Sequence, residues 1–235
     1  MIAAVGVAIP ARDEAALIGP CLRRLRVALA ELPARIERAV CVVADRCTDH
    51  TAALARTEFA GWGNALVLAN ERDVALGEVR DLGFRRVAAM LGGHERGHTL
   101  LLSTDADTEV EPDWARAHLR LAEQGWHGIA GVAELAGPLP AAVAARYACV
   151  RDAGGNVYGA NLGVRADAYT AVGGFAPLAT GEDRDLWRRL GAAGFRRIYA
   201  TEPVVHTSSR QHGRARDGVA ALLRRLHDDD LPTAG

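Results

Sequence analysis

The run Leu100-Leu101-Leu102-Ser103-Thr104-Asp105-Ala106-Asp107 constrains this chain more than any other stretch. Its apolar part has the length of a strand and reads as one buried inside a parallel sheet. It stops abruptly at two carboxylates separated by a single residue. In open α/β sheets ligands bind beyond the carboxyl ends of the strands. An Asp-x-Asp pair at such a tip is placed to hold a divalent cation and, with it, an anionic ligand. The competing reading is turn and cap chemistry ahead of Pro112.

The flanking sequence supplies a sheet for that strand. Residues 2–9 form an apolar first strand stopped by Pro10. Ile18, Leu22, Leu25 and Leu29 then share one helix face while Arg23, Arg24 and Arg26 point away. Gly19-Pro20 reads as a kink or a fresh start of that helix. Residues 39–44 are a second strand, and Thr48 or Asp49 caps a helix running to about residue 59. A strand at 65–69 and a helix at 77–90 complete the approach to the central strand. Pro112 occupies a first helical position, opening a helix to about residue 123, and residues 128–135 are a fifth strand. Strand and helix alternate, which predicts a Rossmann-like, mostly parallel sheet with helices on both faces, in a single α/β domain.

Beyond Gly137 the pattern is weaker. Residues 138–152 and 182–193 read as helices, and 195–200 and 204–205 as short strands. Small residues fill Gly154-Gly155-Asn156-Val157-Tyr158-Gly159-Ala160-Asn161, where something must approach the backbone closely. Asp228-Asp229-Asp230 closes a last helix and reads as a solvated tail.

Composition narrows the function. A hydrophobic content of 49% over 235 residues fills a large core, and a net charge of −1 gives no field for nucleic acid. All 28 basic residues are arginines, so no lysine mechanism is open. Cys21, Cys41, Cys47 and Cys149 show neither C-x-x-C nor disulfide spacing, and read as small buried groups in a reducing compartment. No basic leader opens the chain, and no apolar run reaches the roughly 18 residues of a membrane helix. A cytoplasmic protein is expected. No G-x-G-x-x-G follows the first strand, which disfavours a dehydrogenase, and the loop there lacks the glycines and lysine of a nucleotidyltransferase.

Three strand tips are acidic: Asp13 with Glu14, Asp45, and Asp105 with Asp107. On one edge of a parallel sheet they would make a single site. The blocks Val7-Ala8-Ile9-Pro10-Ala11-Arg12-Asp13-Glu14, Val42-Val43-Ala44-Asp45-Arg46-Cys47-Thr48-Asp49-His50-Thr51 and Arg80-Asp81-Leu82-Gly83 resemble, in order, those of family-two glycosyltransferases of the GT-A fold. Thr104-Asp105-Ala106-Asp107, Gly159-Ala160-Asn161-Leu162-Gly163, Gly173-Gly174-Phe175 and Gly181-Glu182-Asp183 continue the resemblance, which spans about residues 5–206.

The resemblance implies roles. Pro10, Ala11, Arg12 and Glu14 would line the donor nucleotide, and Asp45 would read its base, although Ala44 stands where the family usually carries a further aspartate. Arg80 would face the nucleotide, Asp105 the ribose or sugar, and Asp107 the metal, Mn2+ or Mg2+, with His206 as a further metal ligand. Asp183 would be the catalytic base, and Glu182 and Asn161 would meet the acceptor; Trp187, one turn beyond Asp183 on the same helix face, either joins them or packs in the core. The alternative for Glu182 and Asp183 is charge favouring a helix N-terminus. Arg210, Arg214 and Arg216 would either fold over a diphosphate as a lid or, for at least two of them, face solvent.

The implied reaction moves a hexose-type sugar from a UDP-linked donor to a hydroxyl of a small-molecule, glycan or lipid-linked acceptor, with inversion. Residues 1–110 would be the nucleotide-sugar half, 111–206 the acceptor half and 207–235 a lid, helix and tail. An aspartate-based phosphohydrolase and a non-catalytic nucleotide-sugar-binding relative are the alternatives. The first wants its Asp pair on the opening strand and a lysine.

Overall fold

The computed structural model describes residues 1–152, 155–210 and 219–228. Gly154, Arg214, Arg216, Asp229 and Asp230 lie outside the described residues. Three strand–helix units open the chain: β1 (Ala4–Ala11) and α1 (Ile18–Ala30), β2 (Glu37–Asp45) and α2 (Thr51–Glu58), β3 (Ala65–Asn70) and α3 (Leu76–Met90). The central strand β4 (Thr99–Ser103), a short β5 (Thr108–Val110), α4 (Trp114–Glu123), β6 (Gly128–Ala136) and α5 (Ala141–Asp152) follow. The chain closes with β7 (Leu162–Arg165), α6 (Ala166–Ala171), α7 (Glu182–Ala192), β8 (Arg197–Ser208) and α8 (Val219–Asp228).

Among the described residues one sheet joins eight strands in the order β3-β2-β1-β4-β7-β6-β8-β5. Neighbours within β3-β2-β1-β4 run parallel, whereas β7 is antiparallel to both β4 and β6, and β5 is antiparallel to β8. The single α/β domain with a mostly parallel sheet is therefore as the sequence predicts. Two reversed strands, β5 and β7, and the short helix α6 after β7 escape that reading. The segments 195–200 and 204–205, read as two strands, are one long β8 that begins only at Arg197 and runs on to Ser208. Helix α4 starts at Trp114, two residues after Pro112.

Successive residues of a strand face opposite sides, and here both sides are apolar. Val5, Val7, Ile9, Val40, Val42, Leu100 and Leu102 join the core with Leu22, Leu25, Ala55 and Trp114 of α1, α2 and α4. Ala4, Ala8, Ala39, Cys41, Val43 and Leu101 join the opposite core with Val79, Phe84, Val87 and Leu186 of α3 and α7. The second set contains small residues because α3 lies very close: a Cβ on Gly83 would stand 2.8 Å from that of Ala8.

Cys21 and Cys41 are buried as expected, but Cys47 is only partly covered and Cys149 is exposed. Among the described residues no helix is long and apolar enough to cross a membrane.

Register aligns the strand ends. Ala11 stands opposite Ala44, Asp45 opposite Asn70, and Ala8 opposite Ser103. The loops after β1, β2 and β4 thus leave the sheet along one edge. The reversed β7 begins at that edge, where Leu162 pairs with Ser103.

Candidate active site

A cleft of about 530 Å³ opens at this edge. Pro10, Ala11, Arg12, Glu14, Asp45, Arg80, Asp105, Asp107, Glu182 and Asp183, all expected at the site, line it together. Loop segments far apart in sequence meet here because the parallel register delivers every tip to one side.

At one end Asp45 is nearly buried. Its Oδ1 accepts a hydrogen bond from Asn70 Nδ2 at 2.7 Å, and Arg12 and Arg46 approach its oxygens at 3.8 and 3.4 Å. Asn70 also donates to the carbonyl of Arg72, so the β3 tip fixes the β2 carboxylate. The sequence signal for the role of Asn70 is its register opposite Asp45 at the ends of two adjacent strands. The result is a carboxylate with donors on its flanks, suited to a ring that presents an N–H beside a carbonyl.

At the centre Arg80 is 5% exposed and engaged on every side. Its Nε donates to Glu182 Oε1 at 2.9 Å, and its Nη1 to Ser103 Oγ at 2.9 Å and to the carbonyl of Gly159 at 3.3 Å. Its Nη2 lies 2.7 Å from Asp105 Oδ1. Burial alone would lower its pKa, yet Asp105, Glu182 and Asp183 overrule burial and hold the guanidinium firmly charged. Gly159 is required above it, because a Cβ there would meet Arg80 Nη2 at 2.4 Å. Arg80 therefore ties α3, β4 and α7 together beneath the cleft.

Asp107, in contrast, is largely buried among like charges. Burial, then the neighbouring Asp105, raise its pKa to about 6; Arg210 pulls it down and Glu14 pushes it up. Arg210 Nη2 stands 2.9 Å from Asp107 Oδ2. Its two terminal nitrogens also donate to both oxygens of Glu14, at 2.8 and 2.6 Å. With Asp105 bound by Arg80, Asp107 and Glu14 are the carboxylates that converge on Arg210 at this end. An all-oxygen pair with excess negative charge fits a hard cation such as Mg2+ or Mn2+, whose remaining positions phosphate and water oxygens fill.

At the far wall Asp183 occupies the first turn of α7. Its Oδ2 accepts from the Gly159 N–H at 2.8 Å and its Oδ1 from the Arg184 N–H at 2.7 Å. The Gly159 contact links this carboxylate to the turn that precedes β7. Glu182 beside it is buried and points to Arg80; burial raises its pKa against the pull of that arginine.

Three expected residues lie elsewhere. Asn161 is fully buried, and its amide is consumed inside the core. Its Oδ1 accepts from Trp114 Nε1 at 2.8 Å, and its Nδ2 donates to the carbonyls of Val132 and Pro203 at 2.8 and 3.0 Å. Trp187 packs in the core against Tyr199, their rings 5.0 Å apart, with Arg197 over the indole. It follows Asp183 by one turn, but the α7 residues Leu186 and Leu190 draw that face into the sheet. His206 holds Glu111 at 2.6 Å through Nε2 and stands 3.7 Å from Glu134 through Nδ1. Its position on β8, between Glu109 and Glu134 in register, keeps the ring out of the lining of the cleft. Arg210 holds the place expected of a cationic partner there.

This sheet order, with an acidic pair at the tip of its central strand and a second carboxylate facing it from α7, defines a GT-A glycosyltransferase fold. Solved structures of that fold agree. A mannosyltransferase from Pyrobaculum calidifontis in complex with GDP-Man and Mn2+ superposes with a TM-score of 0.68 at 18% identity, over 89% of this chain and 58% of that one. TarS 1-349 of S. aureus in complex with UDP-GlcNAc gives 0.67 at 13% identity, over 100% of this chain and 69% of that one. GalNAc-T7 with UDP, GalNAc and Mn2+ gives 0.67 at 13%, over 97% and 48%. The chain thus spans less than two thirds of the mannosyltransferase and under half of GalNAc-T7. No curated protein sequence matches the chain. Residues 3–226 match the family described as Glycosyltransferase like family 2, and the chain belongs to that family.

Proposed function

We propose that the protein transfers a hexose-type sugar from a UDP-linked donor to an acceptor hydroxyl with inversion, in the cytoplasm. The single observation that carries this reading is the shared cleft, which Asp45, Asp105, Asp107 and Asp183 line together. The uracil edge would meet Asp45, whose carboxylate accepts the ring N–H while Arg12 and Arg46 stand by the carbonyls. Residues 1–110 would supply the donor wall, 111–206 the acceptor wall, and 207–235 the closing segment.

Asp107 and Glu14 would hold the divalent cation, which stabilises charge on a departing diphosphate by several kcal/mol. Asp183 would take the proton of the acceptor hydroxyl as that oxygen attacks the anomeric carbon from the face opposite the leaving group. The carbon–oxygen bond to the diphosphate breaks as the new one forms, and its electrons leave on the phosphate oxygen. A base so placed contributes about 10²–10⁴-fold. The backbone N–H of Gly159 fixes one oxygen of Asp183, at 2.8 Å, so the carboxylate meets the acceptor in one orientation. Arg80 pins Asp105 and Glu182 and thereby the distance between the two walls.

Thermal shift against UDP, GDP, their sugar conjugates and Mn2+ tests the donor. Metal-dependent stabilisation by the uridine series is expected, since a ligand at 100 times its Kd adds about 2.7 kcal/mol. Stabilisation by GDP compounds alone would replace the base, and indifference to every nucleotide would sink the reading. Asp183→Asn is expected to keep the donor shift and to lose about 10²-fold or more in transfer. Retention of transfer within about threefold would remove Asp183 as the base.

A further inference from the structure

The guanidinium of Arg210 lies where two carboxylates of the donor cleft converge. It forks onto both oxygens of Glu14, at 2.8 and 2.6 Å, and reaches Asp107 Oδ2 at 2.9 Å. Backbone contacts hold it there: the Ser208 N–H donates to the Asp107 carbonyl, and the Arg210 N–H donates to Ser208 Oγ. The hydrogen bonds to Glu14 first, then the charge of Asp107, keep the side chain protonated. A forked guanidinium against carboxylates is among the stronger polar contacts of a protein.

A hard divalent cation needs those same oxygens at about 2.0–2.6 Å. It cannot take Asp107 Oδ2 and Glu14 while a guanidinium occupies them, and two cations within a few ångströms repel. A diphosphate changes this balance, because its own oxygens bring enough negative charge for both.

We propose that Arg210 is the resident counter-cation of the donor-free cleft and competes with the divalent cation for Asp107 and Glu14. The cation and the nucleoside diphosphate then enter together. Arg210 is in this sense a positioning residue: it keeps the two carboxylates converged until the donor arrives. The inference rests on the metal reading of the preceding section and adds the order in which the ligands bind.

Binding of Mn2+ alone to the purified full chain, followed by the loss of its free-ion paramagnetic resonance signal, tests the inference without any turnover. Arg210→Gln is expected to bind Mn2+ about tenfold or more tighter than the unaltered protein in the absence of nucleotide. With saturating UDP the gap is expected to shrink to about threefold or less. Arg210→Lys, which keeps the charge and loses the fork, is expected to fall between, and it carries the comparison if Arg210→Gln does not fold. Equal or weaker Mn2+ binding by Arg210→Gln without nucleotide would overturn the competition while leaving the metal reading intact. No Mn2+ binding by any of the three proteins, with or without UDP, would remove the metal reading and the competition with it.

Discussion

The side chain of Asn161 is held from four directions. Trp114 Nε1 and His118 Nε2 meet its Oδ1 at 2.8 and 3.1 Å, and its Nδ2 reaches the carbonyls of Val132 and Pro203. Each buried polar group left unpaired costs about 1–3 kcal/mol. Asn161→Leu strands an indole N–H and two carbonyls, so a loss of about 3 kcal/mol or more in urea denaturation is expected, with the acceptor KM of the surviving protein little changed. A selective rise in acceptor KM without loss of stability would return Asn161 to the site. The residue was legible in the sequence as part of a small-residue turn; its inward direction was not, because a motif fixes position along the chain and not which side a rotamer faces. The same limit applied to Trp187 and His206. Asp45 and Asp183 were legible because they sit at the ends of β2 and α7, and Asp105 and Asp107 because they fill the short turn between β4 and β5 at the edge where the parallel strands end.

Elements communicate here through one buried arginine. Arg80 on α3 holds Asp105 beyond β4 and Glu182 on α7, and its only space is under Gly159. Deleting one partner of a buried ion pair costs about 3–5 kcal/mol, because the remaining charge is left in a poor medium. Arg80→Met is expected to lower stability by that amount and to loosen both carboxylates together. A loss under about 1 kcal/mol would mean that Asp105 and Glu182 find water instead. Strands and helices of the first half were legible because each carries several turns of unbroken period. Thr108–Val110 and Leu162–Arg165 were not: three or four residues hold too few repeats to announce a strand, and both depend on partners far away in sequence. β8 read as two strands because its exposed middle, Thr201 and Glu202 before Pro203, interrupts the apolar run.

For the molecule as a whole, acidity should act through a histidine away from the cleft. His118 is fully buried, and burial lowers its pKa to about 3 while Asn161 resists. An unfolded histidine titrates near 6.5. Between these values the unfolded chain holds a proton that the folded one refuses, so stability falls as pH drops from about 6.5 toward 3, by up to about 1.4 kcal/mol per unit. His118→Phe removes this component. Its unfolding free energy, measured in urea from pH 7 to 5, should slope less steeply than that of the unaltered protein. Parallel slopes would place the acid sensitivity in other groups.

The direction of β7 has a consequence for the proposed chemistry. Were it to run with its neighbours, its start would be on the far side of the sheet and the Gly159 turn with it. Reversed, it sets Leu162 beside Ser103, so the stretch that steadies Asp183 and the stretch that bears Asp105 are neighbours across one ladder. Adjacent strands keep about 4.8 Å between them. The gulf between sugar carbon and incoming oxygen would thus be spanned from two short turns that leave one ladder side by side.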